Sequence, residues 1–387
     1  MSDTVVSRQL PFGCPIIGDE EKQAVMDVLN GSILVHGPKA KEFEQAFAAY
    51  TQSPYAASIG SCTAGLHLAY FYKEIGPGDE VIVPAQTHTA TVHAVEYVGA
   101  KPVFVDADLK TGNIDIDLLE GAVTERTKAI SVVHFLGMPV NMDSVNKIAE
   151  RHGLFVVEDC ALAIGTYYKG VHAGLHGDLG TFSFYPVKHM TTAEGGMLIT
   201  RHEDVYQKID RQKAFGVDRH VAERKIPGEY DVNMLGFNYR MNEIEAALGI
   251  EQLKRVPGFL KIRRENYEAL ESGLRCIPEV ELLASTHGDY QSSYYCLSAI
   301  LPERLADKRI DMIKSLKEKG VGTSIYYPRP VPHLTYYKNK YGYSEQQFPN
   351  AARISYRSIA LPVGPHLNIE DMHYIVQAFK NTLMEVK

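Results

Sequence analysis

Short apolar runs alternate with longer amphipathic segments across residues 55–200. The runs Ala56–Ile59, Val81–Pro84, Pro102–Asp106, Ala129–His134, Leu154–Glu158, Gly180–Phe184 and Gly196–Thr200 predict seven strands. Between them, Leu68, Phe71, Tyr72 and Ile75 recur at helical spacing before a "GPGDE" stop. "NMDSVNKIAERHG" puts Met142, Val145 and Ile148 on one face and ends at Gly153. Strand–helix alternation predicts an α/β fold with a mostly parallel seven-stranded sheet flanked by helices, and such sheets bind ligands at the carboxyl ends of their strands. A helix near "NEIEAALGIEQLKRV" closes this region, and the pattern changes after Pro257. A charged helix, "FLKIRRENYEALESGL", leads into weaker alternation and a last helix over "DMHYIVQAFKNTL". The expected division is a large domain over residues 1–255 and a smaller α+β domain over 256–387, with roughly the first 20 residues packing on the smaller one.

Composition narrows the classes. The 387 residues are 45% hydrophobic and 22% charged, as in an ordinary folded domain. A net charge of −7 argues against nucleic acid as a partner. No run approaches the roughly 18 apolar residues that a bilayer span needs, and "MSDTVVSRQLPFG" lacks the pattern of a signal peptide. Cys14, Cys62, Cys160, Cys276 and Cys296 are scattered without a CxxC, which favours reduced thiols in a cytoplasmic protein and no metal site.

The stretch "TFSFYPVKHMTTAEGGMLIT" places one lysine, Lys188, between two strand-like runs. Among Phe184, Tyr185 and Val187 its ammonium is partly desolvated, which favours the neutral, nucleophilic amine. The glycines after Glu194 allow a tight reversal. Upstream, "LFVVEDCALAIG" ends an apolar strand in Glu158 and Asp159. A carboxylate there could share the lysine's pocket, or could simply cap a helix. Pyridoxal 5'-phosphate needs such an aspartate to keep its pyridine nitrogen protonated. "SIGSCTAGLHLAY" reads as strand, turn and helix start, so backbone N–H groups of Cys62, Thr63 and Ala64, with hydroxyls of Thr63 and Ser183, would suit a phosphate.

In order, "SCTAG", "VPAQTHTAT", "VVEDCA", "FSFYPVKHMTTAEGG", "GFNYRMNEIEAA" and "YYPRPVPHL" resemble the DegT/DnrJ/EryC1/StrS family of sugar aminotransferases over nearly the whole chain. The resemblance implies pyridoxal phosphate fold type I and a homodimer with shared active sites. It implies Lys188 as the Schiff-base lysine and proton carrier, and Asp159 as the partner of the pyridine nitrogen. Cys62, Thr63 and Ser183 would sit around the phosphate, and Asn238 would reach it from the partner subunit. His88 falls where the family places an aromatic ring against the cofactor. Leu162 falls where the family often has Gln or His. Substrate-binding candidates are Tyr327 and His333, with Arg211 from the basic stretch "RQKAFGVDRHVAERK", which could equally be a solvated loop.

The implied reaction moves an amino group from L-glutamate to a keto-sugar, nucleotide-linked as in most of the family, for cell-surface polysaccharide or lipopolysaccharide. A free oxidised eight-carbon sugar acid is an alternative acceptor. A sugar dehydratase of the same family would carry histidine in place of Lys188, and a regulator that holds the cofactor without turnover would not need all three elements.

Overall fold

The computed structural model describes residues 8–219 and 225–386. Seven strands form one sheet: β1 (Tyr55–Ile59), β2 (Glu80–Pro84), β3 (Lys101–Val105), β4 (Thr127–Val133), β5 (Phe155–Asp159), β6 (Leu179–Ser183) and β7 (Gly196–Thr200). Their order is β1-β7-β6-β5-β4-β2-β3. All neighbours from β3 to β6 pair in parallel, whereas β7 is antiparallel to both β6 and β1. β2 and β5 are buried at every position, which is why they read as unbroken apolar runs: helices cover both faces. Each expected strand is present: Gly196–Thr200 has the expected bounds, and no end of the others is shifted by more than two residues.

Local chemistry accounts for the helices that flank the site. Ser61 caps the Cys62–Tyr72 helix by accepting the Ala64 N–H at 3.1 Å. That helix is buried on most sides, and Ile75, expected on its face, lies beyond its end at Tyr72. Asn141 caps Met142–His152 and Gly153 ends it at φ 64°, with Met142, Val145 and Ile148 buried as the periodicity requires.

The break expected at Pro257 is absent. One 33-residue helix, Glu243–Arg275, runs straight through it. A proline inside a helix costs about 3 kcal/mol, and burial on both sides outweighs that. Leu253 and Val256 pack in one core with Phe43 and Phe182. Leu270 and Leu274 pack in another with Met312, Ile359 and Phe379. The second core covers a three-stranded antiparallel sheet of Glu281–Leu282, Leu297–Ile300 and Ser358–Leu361. Residues 8–12 run beside this sheet's helices: Leu10 exchanges backbone hydrogen bonds with Gly320 and Gly322, both at 2.8 Å, and Arg8 pairs with Asp371.

Adjacent residues of a strand point to opposite faces, so Glu158 and Asp159 part company at the end of β5. Glu158 is fully buried and accepts four hydrogen bonds, from His134 Nε2 and from the backbone N–H groups of Gly174, His176 and Gly177, at 2.6–2.8 Å. The Val140 N–H donates to His134 Nδ1, so Nε2 carries the ring proton and faces the carboxylate. Burial alone would raise the Glu158 pKa. The four donors outweigh it and hold the group below its ordinary range.

Glu158→Gln replaces an acceptor-only carboxylate with an amide that cannot satisfy four donors. It is expected to destabilise the fold by about 2–4 kcal/mol, read as a lower urea midpoint. In the parent protein this contribution is complete above the ordinary glutamate pKa and is lost as pH falls through the depressed folded value. A variant with the parent's midpoint near neutral pH and the same acid limb would show the network to be unimportant.

Candidate active site

Asp159 ends β5 on the other face, at the carboxyl edge of the sheet. No helix starts there, which removes the capping alternative. The carboxylate is 4% exposed and fixed at both oxygens. The Ala161 N–H donates to Oδ1 at 3.0 Å, and the Thr91 hydroxyl donates to Oδ2 at 2.8 Å. Thr87 lies 2.7 Å from Thr91, whose own proton is spent on Asp159, so Thr87 must be the donor of that pair. Thr87 and Thr91 stand four residues apart at the start of the Thr89–Tyr97 helix, a spacing visible in "THTAT".

The Cys62–Tyr72 helix aims its start at the same edge. Ala64 is not available, because Ser61 already takes its N–H. The Cys62 and Thr63 N–H groups have no acceptor among the described residues, as expected of a first helical turn. The Cys62 side chain points inward instead: Sγ lies 3.2 Å from Thr181 Oγ1 and 3.9 Å from Asp159 Oδ1. Burial, and then the Asp159 charge, push its pKa well up, so it stays a thiol. Only the Cys62 backbone can meet an anion. Ser183 ends β6 nearby, with a weak 3.4 Å hydrogen bond from the Tyr185 N–H.

Lys188 lies on the 184–195 connection that turns β6 back into β7. Backbone bonds from Phe184 to Gly195 and from Thr192 to Phe184, both 3.0 Å, close this loop, and Gly195 takes φ 140°. A Cβ at Gly195 would fall 2.3 Å from Thr192 Oγ1, so the reversal requires glycine. Lys188 is partly buried. Desolvation pulls its pKa below the ordinary lysine value, and the negative charge of Asp159 opposes that pull. His88 caps the Thr89–Tyr97 helix through Nδ1, which accepts the Ala90 N–H at 3.1 Å. Its exposed ring stands 5.6 Å from that of Tyr327, and the charges of Asp159 and Lys188 both reach it. Lys188, Asp159, Cys62, His88 and Tyr327 thus share one cleft.

Other candidates lie elsewhere. His333 is 1% exposed, with Nδ1 3.3 Å from the Tyr356 hydroxyl and Nε2 2.8 Å from the Gln347 carbonyl. Its ring is a packing element, not a free substrate ligand. Arg211 donates to the Asp218 carbonyl and so ties down its own loop, while residues 220–224 of that basic stretch lie outside the described residues. Asn238 is exposed on a surface that also presents Phe215, Val232 and Leu235. Leu162 is buried, its side chain packed in the core and its carbonyl accepting from Ser293 Oγ at 2.7 Å.

The donor set fits pyridoxal phosphate: a partly desolvated amine, a fixed carboxylate and two uncommitted helix N–H groups meet at one sheet edge. Comparison with known proteins agrees. The DegT/DnrJ/EryC1/StrS aminotransferase family model matches residues 15–380, and the chain belongs to that family. It is a pyridoxal-phosphate-dependent aminotransferase of fold type I. The spore coat polysaccharide biosynthesis protein SpsC of Bacillus subtilis (strain 168) is 38% identical over 377 residues, 96% of each chain. The sugar aminotransferase Spr1654 of Streptococcus pneumoniae is 32% identical. It superposes at TM-score 0.93 in its PMP form and 0.91 in its PLP form, covering 98% of this chain and 100% of the other. PseC of Helicobacter pylori, an aminotransferase of pseudoaminic acid biosynthesis, is 27% identical with TM-score 0.90 over 98% of this chain and 100% of its own.

Gly196 tests the helix start. A Cβ there would fall 2.7 Å from the Cys62 nitrogen and 2.6 Å from the Phe182 carbonyl oxygen, both backbone atoms that cannot rotate away. Gly196→Ala is expected to displace the first turn and weaken retention of pyridoxal phosphate by about tenfold or more, the loss of a hydrogen bond to a charged group. The measurement is cofactor absorbance remaining after dialysis. Parent-like retention would mean that this backbone does not hold the phosphate.

Proposed function

We propose that the protein transfers the amino group of L-glutamate to a keto-sugar carried on a nucleotide, in the synthesis of a cell-surface polysaccharide. The observation that carries this reading is the meeting of Lys188 and Asp159 in one cleft beside the uncommitted N–H groups of Cys62 and Thr63. The names of SpsC and PseC support the sugar and polysaccharide part.

Bound pyridoxal phosphate supplies an electron sink for the carbanion left when an amino acid loses its α-proton. Asp159, pinned by Thr91 and Ala161, would set its carboxylate against the pyridine nitrogen and favour that nitrogen's protonated form. The Cys62 and Thr63 N–H groups, with the Thr63 and Ser183 hydroxyls, would take the phosphate at the positive end of a helix dipole. His88, whose ring stands 5.6 Å from that of Tyr327, would lie against the cofactor ring, with Tyr327 beside it. Lys188 Nζ would hold the cofactor as its Schiff-base lysine; as a free amine it would take the substrate's α-proton and return it, serving donor and acceptor halves alike. Asn238 completes the phosphate site of a second copy. The exposed Phe215, Val232 and Leu235 beside it form the apolar ground on which that copy would rest. Arg211, bonded to its own loop, orders that rim and does not bind substrate itself.

Lys188→Ala is expected to bring glutamate-dependent transamination below about one part in a thousand of the parent, the usual scale for removal of a general acid–base. Stopped-flow absorbance of the cofactor on adding glutamate is the measurement, and substantial turnover by the variant would remove Lys188 from this role. For the acceptor, keto-sugars with and without a nucleotide are to be compared at fixed glutamate. Faster amination of the free sugar would refute the nucleotide-linked assignment and leave the donor half intact.

A further inference from the structure

The Lys188 amine has no hydrogen-bond acceptor or carboxylate within bonding distance among the described residues. What it does meet is an aromatic face: Nζ stands 5.6 Å from the centroid of the Tyr295 ring. A cation within about 6 Å of a ring centroid is attracted by the ring's quadrupole, the more so where water is scarce.

Tyr295 is built to stay where it is. It is 3% exposed. Its hydroxyl lies 2.8 Å from that of Tyr326, and the two rings meet edge to face at 83°. Arg263 Nη1, from the middle of the Glu243–Arg275 helix, donates to the Tyr295 carbonyl at 2.9 Å. The His189 ring, next in sequence to the lysine, stands 5.5 Å from the same ring and is itself 3.1 Å from the Ser293 carbonyl. The 292–296 segment therefore grips the lysine loop at two successive residues, His189 by a hydrogen bond and Lys188 by a ring.

We infer that Tyr295 is a positioning residue for the reaction: its π face holds the ammonium form of Lys188 in the cleft whenever the lysine is not bonded to the cofactor. This inference rests on the reading of Lys188 as the amine that captures the cofactor and carries the proton. A displaced lysine must remain within reach of the reacting carbon through each half-reaction. A long, flexible side chain without a partner would lose that position. The ring supplies a hold that neither takes up the amine's proton nor competes as a base, which a carboxylate in the same place would do. The groups that also bear on Lys188 are Cys62 at the helix start, Asp159 on β5, Cys296 beside Tyr295, and His88 across the cleft. Arg263 and His189 bear on the ring from behind the lysine loop. Of the negative groups, Asp159 favours the ammonium form as the ring does, so the two must be separated by experiment.

The test uses apoprotein labelled with 15N at lysine Nζ, with the Lys188 signal assigned by its loss in Lys188→Arg. Tyr295 is replaced by phenylalanine and then by phenylalanines of rising fluorine content, which keep the ring's shape while draining its π face. Tyr295→Phe is expected to titrate Lys188 as the parent does. Full fluorination is expected to lower that pKa by about half to one and a half pH units, and Tyr295→Leu to do at least as much. A Lys188 titration unchanged across the fluorine series overturns the inference. So does an equal drop in the plain Phe variant, since the hydroxyl would then be the agent. Because the shape is preserved, failure of the Leu variant to fold would not spoil the series. The outcome is also separable from the proposed function: loss of transamination in Lys188→Ala can stand while the titration refutes Tyr295, and the reverse can hold.

Discussion

The structure turns on what happens at the last two residues of β5. A strand leaving a buried sheet must place consecutive side chains on opposite faces, and here both are carboxylates with almost no access to water. Neither could remain charged there without compensation, because an isolated buried carboxylate is strongly disfavoured. The two are compensated differently. Glu158 receives four donors and is saturated, so it ties β4 and the 174–177 loop to the sheet and has nothing left to offer. Asp159 receives one firm donor at each oxygen, from Thr91 and Ala161, and keeps lone pairs facing the cleft. The same residue type serves as a structural anchor in one position and as a poised electrostatic group in the next.

The remaining parts of the site are arranged around that poised charge. Thr181, its partner on β6, and the Cys62 thiol at the helix start stand beside it, and these are neutral and weakly polar, so they do not neutralise it. Lys188 is the cation it meets, yet the two form no ion pair within 4 Å. A closed pair would have held the amine protonated and bonded. Separation leaves the lysine with a pKa drawn down by desolvation and only partly restored by the carboxylate. The reversed strand β7 is what makes this placement available. A parallel crossover would have carried the chain away to the far edge of the sheet, whereas the tight return from β6 leaves the lysine loop hanging over the carboxyl ends.

Much of this was legible in the chain. Buried parallel strands announce themselves as continuous apolar runs, as β2 and β5 did. Lys188 and Asp159 stood out because a charged residue at the end of such a run has to be explained. What sequence concealed is direction and accounting. The string "SCTAG" shows a helix start, but not that Ser61 consumes the Ala64 N–H or that the Cys62 thiol turns inward. "PVPHL" shows a histidine near a substrate-binding block, but not that both of its nitrogens are bonded in the core. Pro257 suggested a boundary, and tertiary burial of Leu253 and Val256 on one side and Leu270 and Leu274 on the other overrode its local preference. Thr91 could have been found from its four-residue spacing to Thr87. Tyr295 could not, because it reaches Lys188 only through packing between segments more than a hundred residues apart.

That last point bears on how two cores make one site. The large sheet supplies the fixed charge, the helix start and the lysine loop. The segments 292–296 and 326–327 come from the part of the chain that follows the long helix, pack against the core of the large sheet, and supply the aromatic wall: Tyr295 against Lys188, Tyr326 against Tyr295, and Tyr327 against His88. The long Glu243–Arg275 helix is rooted in both cores and places Arg263 on the Tyr295 carbonyl between them. Arg263 is a buried cation whose Nε has no partner, a costly arrangement that a simple spacer would not retain. Its position explains the cost. The guanidinium fixes the backbone of a segment that touches both the lysine and its neighbour His189, so the rigidity of the helix is delivered to the amine. Chemistry written on the sheet is thereby held in register by a wall that the sheet does not itself build.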